Sequence, residues 1–582
     1  MNPSSGSHYD FIVVGGGTAG NVVAGRLAEN PSVSILVIEA GIGDPESIPQ
    51  IMTPSLGMTL RGSKYDWAYK STMVKRDDYE RVEKPNTRGK ALGGSSSLNY
   101  YTWIPGCKAT FDHWAEYGGP EWTWDLLKPY LRKSATYHDD ANLYSKDLFE
   151  IGSGGPLHIS HAELLDELIP FRENLTKAWL SRGHKLSKHE DIYEGKMDGL
   201  FHCVDTIYQG KRSGSFVFVK DKPNITILAE THSKKLIIDE ANKAATGITV
   251  IDKSCNELDF YADREVIVSQ GVFESPKLLM LSGIGDENHL SQHGIKAIVH
   301  SPHVGQNLKD HPGVPFVLRV KDDFCVDNYV FRQTAKHAAA VAQYDAHSSG
   351  PMASGLLEVV ALPRIDDYLE KDPLYRERKA ANGAKDPFSP EGQPHFELDF
   401  VAGFGTAFQW HYPFPKEGCY VSVVVDLVNP VSPPGEVTLN SADPLKQPNI
   451  NVNFFADDLD IIAMREGIRF SYDVLTKGDG FKDFVVSEYP WPMPLDDDAA
   501  MYHSVLDRCQ TAFHPTGTAR LSKSISQGVV DPQLRVHGIS KLRVIDASII
   551  PRIPDCRPQN CVYMLAEKGA DMLKAAHKDL YP

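Results

Sequence analysis

Residues 9–39 read YDFIVVGGGTAGNVVAGRLAENPSVSILVIE, and they carry the clearest fold signal in the chain. An apolar run ends at Val14, a turn of three glycines follows, and a helix-forming segment leads to a second apolar run ending at Ile38. This is the G-x-G-x-x-G fingerprint in its strand, turn, helix, strand setting. The pattern predicts a Rossmann-type dinucleotide site, with a diphosphate held at the helix N-terminus. The residues expected to form its turn are Gly15, Gly17, Thr18, Ala19 and Gly20.

Glu39 follows the second predicted strand and lies 19 residues after Gly20. A carboxylate at this place can hydrogen-bond a ribose hydroxyl, and it disfavours a 2′-phosphate. The motif therefore favours FAD or NAD over NADP. It does not choose between those two cofactors.

Size and charge restrict the remaining possibilities. A chain of 582 residues is too long for one core, so we expect two large lobes. The formal net charge of −16 argues against a nucleic-acid partner. The strongest apolar run, Tyr420–Val428, is interrupted by Asp426, so we interpret it as a buried strand and expect no membrane span. No secretory pattern precedes the first strand, which favours an intracellular, cytoplasmic location.

Two other features give weaker expectations. The eight cysteines form no CxxC pair, so we predict reduced thiols and no metal site. Residues 362–393 are rich in charge, proline and glycine, which predicts a surface loop within the second lobe.

Two further segments resemble the signatures of the glucose–methanol–choline (GMC) oxidoreductase family. They are GKALGGSSSLNYYTWIPGCKATFD at 89–112 and GVFESPKLLMLSGIG at 271–285, and similar matches such as VGQNLKDH at 304–311 run to the end of the chain. The second segment departs from the usual pattern at Val272. The resemblance covers essentially the whole chain and implies FAD. It implies a mixed α/β fold, with a Rossmann-like FAD-binding lobe and a substrate lobe built on an antiparallel sheet.

The resemblance also implies a division of the chain and a set of cofactor contacts. Residues 1–312 are expected to form most of a discontinuous FAD lobe, 313–500 mainly the substrate lobe, and 501–582 a segment that returns to the FAD lobe with the catalytic residues. Residues 93–103 contain no histidine for a covalent link, so we expect non-covalent FAD, which the resemblance allows in an 8-formyl form. The further residues expected around FAD are Gly93, Gly94, Ser95, Ser96, Asn99, Asp546, Ala547, Pro558 and Gln559.

His514 is the expected catalytic histidine, because TAFHPTGTAR at 511–520 resembles the histidine segment of the family. Pro558 suits the start of a long helix predicted to run to about Ala576. Between these segments stands Arg557, 43 positions after His514, where the family normally has histidine or asparagine.

Arg557 points to the substrate class. A guanidinium stays protonated and cannot act as a base, but its planar fork matches a carboxylate. Burying it without a counter-anion is costly, so we expect a small anionic substrate. Formate is the smallest carboxylate with an oxidisable C–H bond, and its oxidation needs no hydroxyl proton to be removed.

These features resemble a formate-oxidising subgroup of the family, which implies formate and O2 as substrates and CO2 and H2O2 as products. Arg557 is expected to clamp formate, and His514, cationic during part of the cycle, to help hold it. An alcohol oxidase or dehydrogenase is the alternative, with Arg557 in a structural salt bridge to Asp555 or another buried acid. A flavin-dependent lyase without net redox chemistry is a third possibility.

Overall fold

The computed structural model describes residues 3–81, 84–139, 146–152, 154–162, 165–322, 324–406 and 412–582. It has the mixed α/β fold predicted from the sequence, with two large sheets. In chain order their strands are β1 (His8–Val14), β2 (Ile35–Ile38), β3 (Gly199–His202), β4 (Ile225–Leu228), β5 (His232–Asp239), β6 (Ala244–Ile251), β7 (Glu257–Val268), β8 (Pro312–Val320), β9 (Val359–Leu362), β10 (Phe396–Val401), β11 (Cys419–Leu427), β12 (Val485–Tyr489), β13 (Gln510–Thr511) and β14 (Leu542–Val544). The longer helices are α1 (Thr18–Leu27), α2 (Trp124–Lys133), α3 (Ile169–Ser181), α4 (Gly271–Leu281), α5 (Ala335–His347), α6 (Pro373–Ala381), α7 (Asp458–Lys477), α8 (Asp498–Arg508) and α9 (Gln559–Ala576).

The first sheet is the Rossmann-like sheet, and its strand order is β4-β2-β1-β7-β6-β5, with β14 also pairing with β7. Strands β4, β2, β1, β7 and β14 run parallel, whereas β5 and β6 are antiparallel additions. The residues of β2 and the second half of β1 are almost fully buried, as expected for parallel strands covered on both faces. The glycine turn, Glu39 and Asp546 follow the carboxyl ends of β1, β2 and β14, so they meet at one edge of the sheet.

The second sheet is antiparallel, with the order β12-β8-β11-β10-β9-β3 and β13 pairing with β8. The buried strand predicted at Tyr420–Val428 is confirmed as β11, and all nine of its residues are buried. Helix α7 packs its apolar residues into the core of this lobe. In the β10–β11 ladder Glu397 lies directly opposite Asp426, which brings two acidic side chains to the same place.

The last part of the chain connects the two sheets. Strand β13 pairs with β8 of the second sheet, and β14 pairs with β7 of the first. Helix α9 then packs against α1 and α2. Because His514 follows β13 and Arg557 precedes α9, both lie where the two lobes meet.

Two expectations from the sequence are wrong. Residues 362–393 contain α6 and a buried cluster that includes Leu369, Tyr375 and Phe388, so this segment is not simply a surface loop. Its charged residues pair with one another while its few apolar side chains reach the core. Cys325 and Cys419 form a disulfide, with Cα atoms 5.6 Å apart across 94 residues of sequence. The prediction of reduced thiols fails for this pair, because only the fold brings the two together.

No helix in the described ranges is both long enough and apolar enough to span a membrane.

Candidate active site

The glycine turn after β1 is shaped by close backbone packing. Gly15 has φ +107°, and a Cβ atom there would lie 2.4 Å from the carbonyl oxygen of Ser269. A Cβ atom on Gly20 would lie 1.9 Å from the carbonyl oxygen of Gly15, so this glycine lets helix and turn pack. Gly17 differs, since no protein atom lies nearer than 3.8 Å to its added Cβ. The free space at Gly17 is what a diphosphate approaching the backbone requires.

Glu39 lies at the end of β2, as the sequence predicts. Its Oε1 accepts a hydrogen bond of 2.7 Å from the backbone N–H of Gly41. Burial raises the pKa of Glu39 to about 7, so the carboxyl group can donate or accept a bond at neutral pH. Either form suits a ribose hydroxyl.

The loop at 93–99 lies against the glycine turn. Gly93 and Gly94 have φ angles of +96° and +52°, and a Cβ atom on Gly94 would be 2.7 Å from the Cα atom of Gly17. Arg212 fixes this loop by donating to the carbonyl oxygen of Ser96 at 3.1 Å and to Asn99 Oδ1 at 2.8 Å. Sequence reasoning missed Arg212, because it lies more than 110 residues from the loop that it holds.

The start of α9 is bonded to the same loop. Asn99 Nδ2 donates to Gln559 Oε1, and Gln559 Nε2 donates to the carbonyl oxygen of Tyr101 at 2.9 Å. Pro558 is the N-cap of α9, so the long helix predicted from this point is confirmed. The positive end of its dipole faces the cavity wall that Pro558 and Gln559 form.

Asp546 has mainly a positioning role in the structure. Its Oδ2 accepts bonds from the N–H of Gly271 at 2.9 Å and from the hydroxyl of Ser275, and its Oδ1 accepts from the N–H of Ser548 at 2.7 Å. These bonds join the start of α4 to the end of β14. Ala547 follows and lines the cavity.

One large cavity brings most of the sequence-predicted residues together. Of these residues, Gly20 and Gly93 alone do not line it, and they pack behind its wall. The buried Oε1 of Gln270, also in the wall, has no hydrogen-bond partner in the described part of the chain. The open space at Gly17 and this unsatisfied acceptor fit an extended dinucleotide such as FAD. The predicted residues in the wall are Gly15, Gly17, Thr18, Ala19, Glu39, Gly94, Ser95, Ser96, Asn99, His514, Asp546, Ala547, Arg557, Pro558 and Gln559.

His514 is paired with a second histidine. The Nδ1 atoms of His514 and His311 are 3.0 Å apart, so one of them carries the proton that joins them. Burial, with help from His311, Arg557 and Arg88, lowers the pKa of His514 well below its ordinary value. Burial likewise lowers the pKa of His311 to about 3. Both rings are therefore neutral at neutral pH in the resting protein. The cationic His514 expected during part of the catalytic cycle stays a prediction.

His311 is a site residue that sequence reasoning missed. It stands in the 304–311 segment already quoted for its family resemblance, so the signal was present. Its neighbour Asp310 fixes the arrangement, because Asp310 Oδ1 accepts from the N–H groups of His311 and His514, both at 2.9 Å. Phe513 has φ +66°, a strained turn that directs His514 toward the cavity.

Arg557 lies in the wall of the same cavity, but it already has counter-anions. Its Nη1 is 3.2 Å from Glu397 Oε1, and its Nη2 donates to Asp399 Oδ1. The salt bridge to a buried acid that the sequence left open is therefore present, and it is made to two acids of β10, Asp399 and Glu397, which lie far from Arg557 in the sequence. Burial alone would lower the pKa of Arg557, yet Asp399 and Glu397 raise it above its ordinary value. Arg557 is therefore a permanent cation.

A third acid, Asp426, lies in the cavity wall beside this ion pair. Burial, with the nearby Asp399 and Glu397, raises the pKa of Asp426 well above its ordinary value. Burial also raises the pKa of Glu397 to about 7. The arginine thus faces three carboxyl groups, and burial raises the pKa of two of them, Glu397 and Asp426.

Comparison with known proteins agrees with this architecture. Two family models described as GMC oxidoreductase match residues 9–313 and 430–566. The chain belongs to the GMC oxidoreductase family. A GMC oxidoreductase binds FAD, and the cavity is shaped for it.

Individual relatives of this GMC oxidoreductase include several flavoenzymes. A crystal structure of formate oxidase is 71% identical over the full length of both chains, with a TM-score of 0.98. Arginine-to-lysine and arginine-to-alanine variants of Aspergillus oryzae RIB40 formate oxidase, studied for their effect on FAD modification, match equally well. Pyranose dehydrogenase of Agaricus xanthodermus is 31% identical, over 98% of this chain and 94% of the relative.

Proposed function

We propose that this protein is a formate oxidase, which oxidises formate to CO2 and reduces O2 to H2O2. The observation that carries this proposal is the position of Arg557, in the cavity wall with His514, in a GMC oxidoreductase. The full-length similarity to formate oxidase, at 71% identity, supports it. Arg557 and His514 are the proposed catalytic residues.

Arg557 selects a small anion. Two of its guanidinium nitrogens face Glu397 and Asp399, and the same side chain lines the cavity. From there it can bind a substrate carboxylate, which an arginine binds better than a neutral alcohol. Because Arg557 is a permanent cation, its own charge stays the same over the pH range in which formate is an anion.

His514 contributes a neutral hydrogen bond. We assign the shared proton to His311 Nδ1, which donates to His514 Nδ1 and leaves a proton on His514 Nε2. That N–H then faces the substrate carboxylate as a donor. Formate has no hydroxyl proton, so the site needs no base, in agreement with two neutral rings and an arginine.

FAD, held by the glycine turn, Glu39 and the 93–99 loop, supplies the acceptor for the formate hydride and the route of the electrons to O2. Arg557 and His514, both in the cavity wall, orient the C–H bond of formate. The positive charge of Arg557 also favours the negative charge that develops on oxygen.

The experiment is an anaerobic mixture of the purified flavoprotein with formate, followed by flavin absorbance. Formate should bleach the flavin, and admitting O2 should restore the colour with one H2O2 per formate. Bleaching by small alcohols but not by formate would favour an alcohol oxidase or dehydrogenase. In that enzyme Arg557 would have a structural role, in its ion pair with Asp399. No bleaching by any donor would indicate a lyase.

We also propose the division of the chain expected from the sequence. Residues 1–312 supply most of the FAD lobe, and residues 313–500 supply most of the substrate lobe. Residues 501–582 return to the FAD lobe and carry the catalytic residues. The cytoplasmic location stays a prediction.

A further inference from the structure

Two acidic side chains of the substrate sheet oppose each other beneath the cavity wall. Glu397 and Asp426 are directly paired residues of β10 and β11, so their side chains share one face of the sheet. On the other side of Asp426 the paired residue is Gly313, where a Cβ atom would lie 2.2 Å from Asp426 Oδ1. The absence of a side chain at Gly313 thus makes room for this carboxyl group.

Around Arg557 the number of acidic side chains exceeds the number of cations, so the charges balance only if some of the carboxyl groups are protonated. One guanidinium, Arg557, faces Glu397, Asp399 and Asp426. Among the described residues, Glu397 has the 3.2 Å ion contact of its Oε1 with Arg557 Nη1 but no hydrogen bond of good geometry, and Oδ1 of Asp426 has none either. Both side chains are at most 2% exposed. Two buried, opposed carboxylates without such bonds are strongly unfavourable, so at least one of the pair carries a proton.

The overall reaction consumes a proton. Formate oxidation balances as HCOO⁻ + O2 + H⁺ → CO2 + H2O2. The C–H bond breaks and its two electrons reach O2, where two O–H bonds form. One hydrogen comes from formate and the other must come from a protein group or water. Arg557 does not release a proton, and His514 and His311 are neutral rings.

We propose that the Glu397–Asp426 pair takes up one proton when formate binds and gives this proton to the peroxide as it forms. The proposal rests on formate oxidation as the function. The net charge of the buried site then stays constant when formate binds, because the anion and the proton enter together. After the proton leaves, the pair returns to its singly protonated state.

The pH dependence follows from the groups that face the pair. Asp399 and Arg557 flank it, and the thiols of Cys203 and Cys556 lie near Glu397. Asp310 approaches from just before the start of β8, and His311 and His514 lie beyond Asp310. Burial raises the pKa of Glu397 to about 7. Below that pH the pair already holds its second proton, and above it the proton must be taken from solvent. Anion affinity should therefore fall, by up to about tenfold per pH unit, as the pH rises above 7.

The test uses the holoenzyme and acetate, an anion that binds without being oxidised. In weak buffer at pH 8 with an indicator dye, the parent should take up about one proton per acetate bound. The double variant Glu397→Gln, Asp426→Asn should take up none, and its acetate affinity should be the same from pH 6 to 9. Each single variant should lose most of the uptake.

Asp327→Asn is the matched control. Asp327 is a buried acid of the same lobe, bonded to the N–H groups of Phe404 and Tyr420 and absent from the cavity wall. It should keep the uptake and the pH slope of the parent. Acetate binding without proton uptake in the parent, or unchanged uptake and slope in the double variant, would overturn the proposal. Failure of formate to bleach the flavin would instead refute only the proposed function.

Discussion

Arg557 and Asp399 form a buried ion pair in the wall of the cavity that His514 also lines. The arginine precedes α9 and the aspartate lies on β10, so the pair joins the last helix to the substrate sheet. This holds the guanidinium in one orientation before any substrate arrives. A fixed cation at the substrate position is the feature that separates this site from one built for a neutral alcohol.

The space at Gly17 gives a test of the cofactor site. Gly17→Ala should fold normally, since its Cβ meets no protein atom within 3.8 Å. It should weaken FAD binding by roughly tenfold or more, about 1.4 kcal/mol, because the methyl group occupies the diphosphate approach. Titration of apoprotein with FAD measures this. Gly20→Ala, whose Cβ would meet Gly15 at 1.9 Å, should instead disturb folding. Unchanged FAD affinity in Gly17→Ala would place the diphosphate elsewhere.

FAD should be released intact when the protein is denatured. The 93–103 loop contains no histidine, and so it offers no imidazole for a covalent bond. Acid or heat should leave the yellow flavin in the supernatant, where absorbance and mass would also reveal an 8-formyl group. Flavin that stays on the precipitated chain would disprove non-covalent binding.

His514→Ala should separate catalysis from cofactor binding. FAD should stay bound, because His514 contacts His311 and Asp310 rather than the glycine turn. Reduction of the flavin by formate should slow on the order of a hundredfold, a typical loss for a positioned catalytic group. Stopped-flow absorbance measures the rate. Near-normal reduction would exclude His514 from the mechanism.

His311 should make stability depend on pH. Burial lowers its pKa to about 3, so below about pH 6.5 the unfolded chain binds a proton that the folded protein does not. The parent then loses up to about 1.4 kcal/mol per pH unit as the pH falls, a loss that His311→Asn lacks. The gap in thermal midpoint between parent and variant should narrow from pH 7 to pH 5. His347→Asn, a substitution at an exposed histidine, serves as the control. If the difference in thermal midpoint between the parent and His311→Asn stays constant with pH, His311 is not held neutral in the folded protein.

Local sequence patterns identified residues that the structure brings to the wall of one cavity. The glycine turn, Glu39 and the start of α9 are short-range signals, and the structure brings them to one cavity. The substrate half depends on pairings across the sheet. Nothing near Glu397 or Asp399 in the sequence indicates that β10 carries them to Arg557. The Cys325–Cys419 disulfide was missed for the same reason.

Binding of formate by Arg557 can be examined by comparing two substrates in three forms of the enzyme. Formate and methanol turnover should be measured side by side in the parent, Arg557→Lys and Arg557→Ala. Losing one side of a buried charge pair typically costs about 2–5 kcal/mol, so formate use should fall from roughly thirtyfold to several thousandfold in Arg557→Ala. Arg557→Lys should recover part of it, and any methanol turnover should change much less. If Arg557→Ala oxidises formate as well as the parent does, the arginine is structural and the account is wrong.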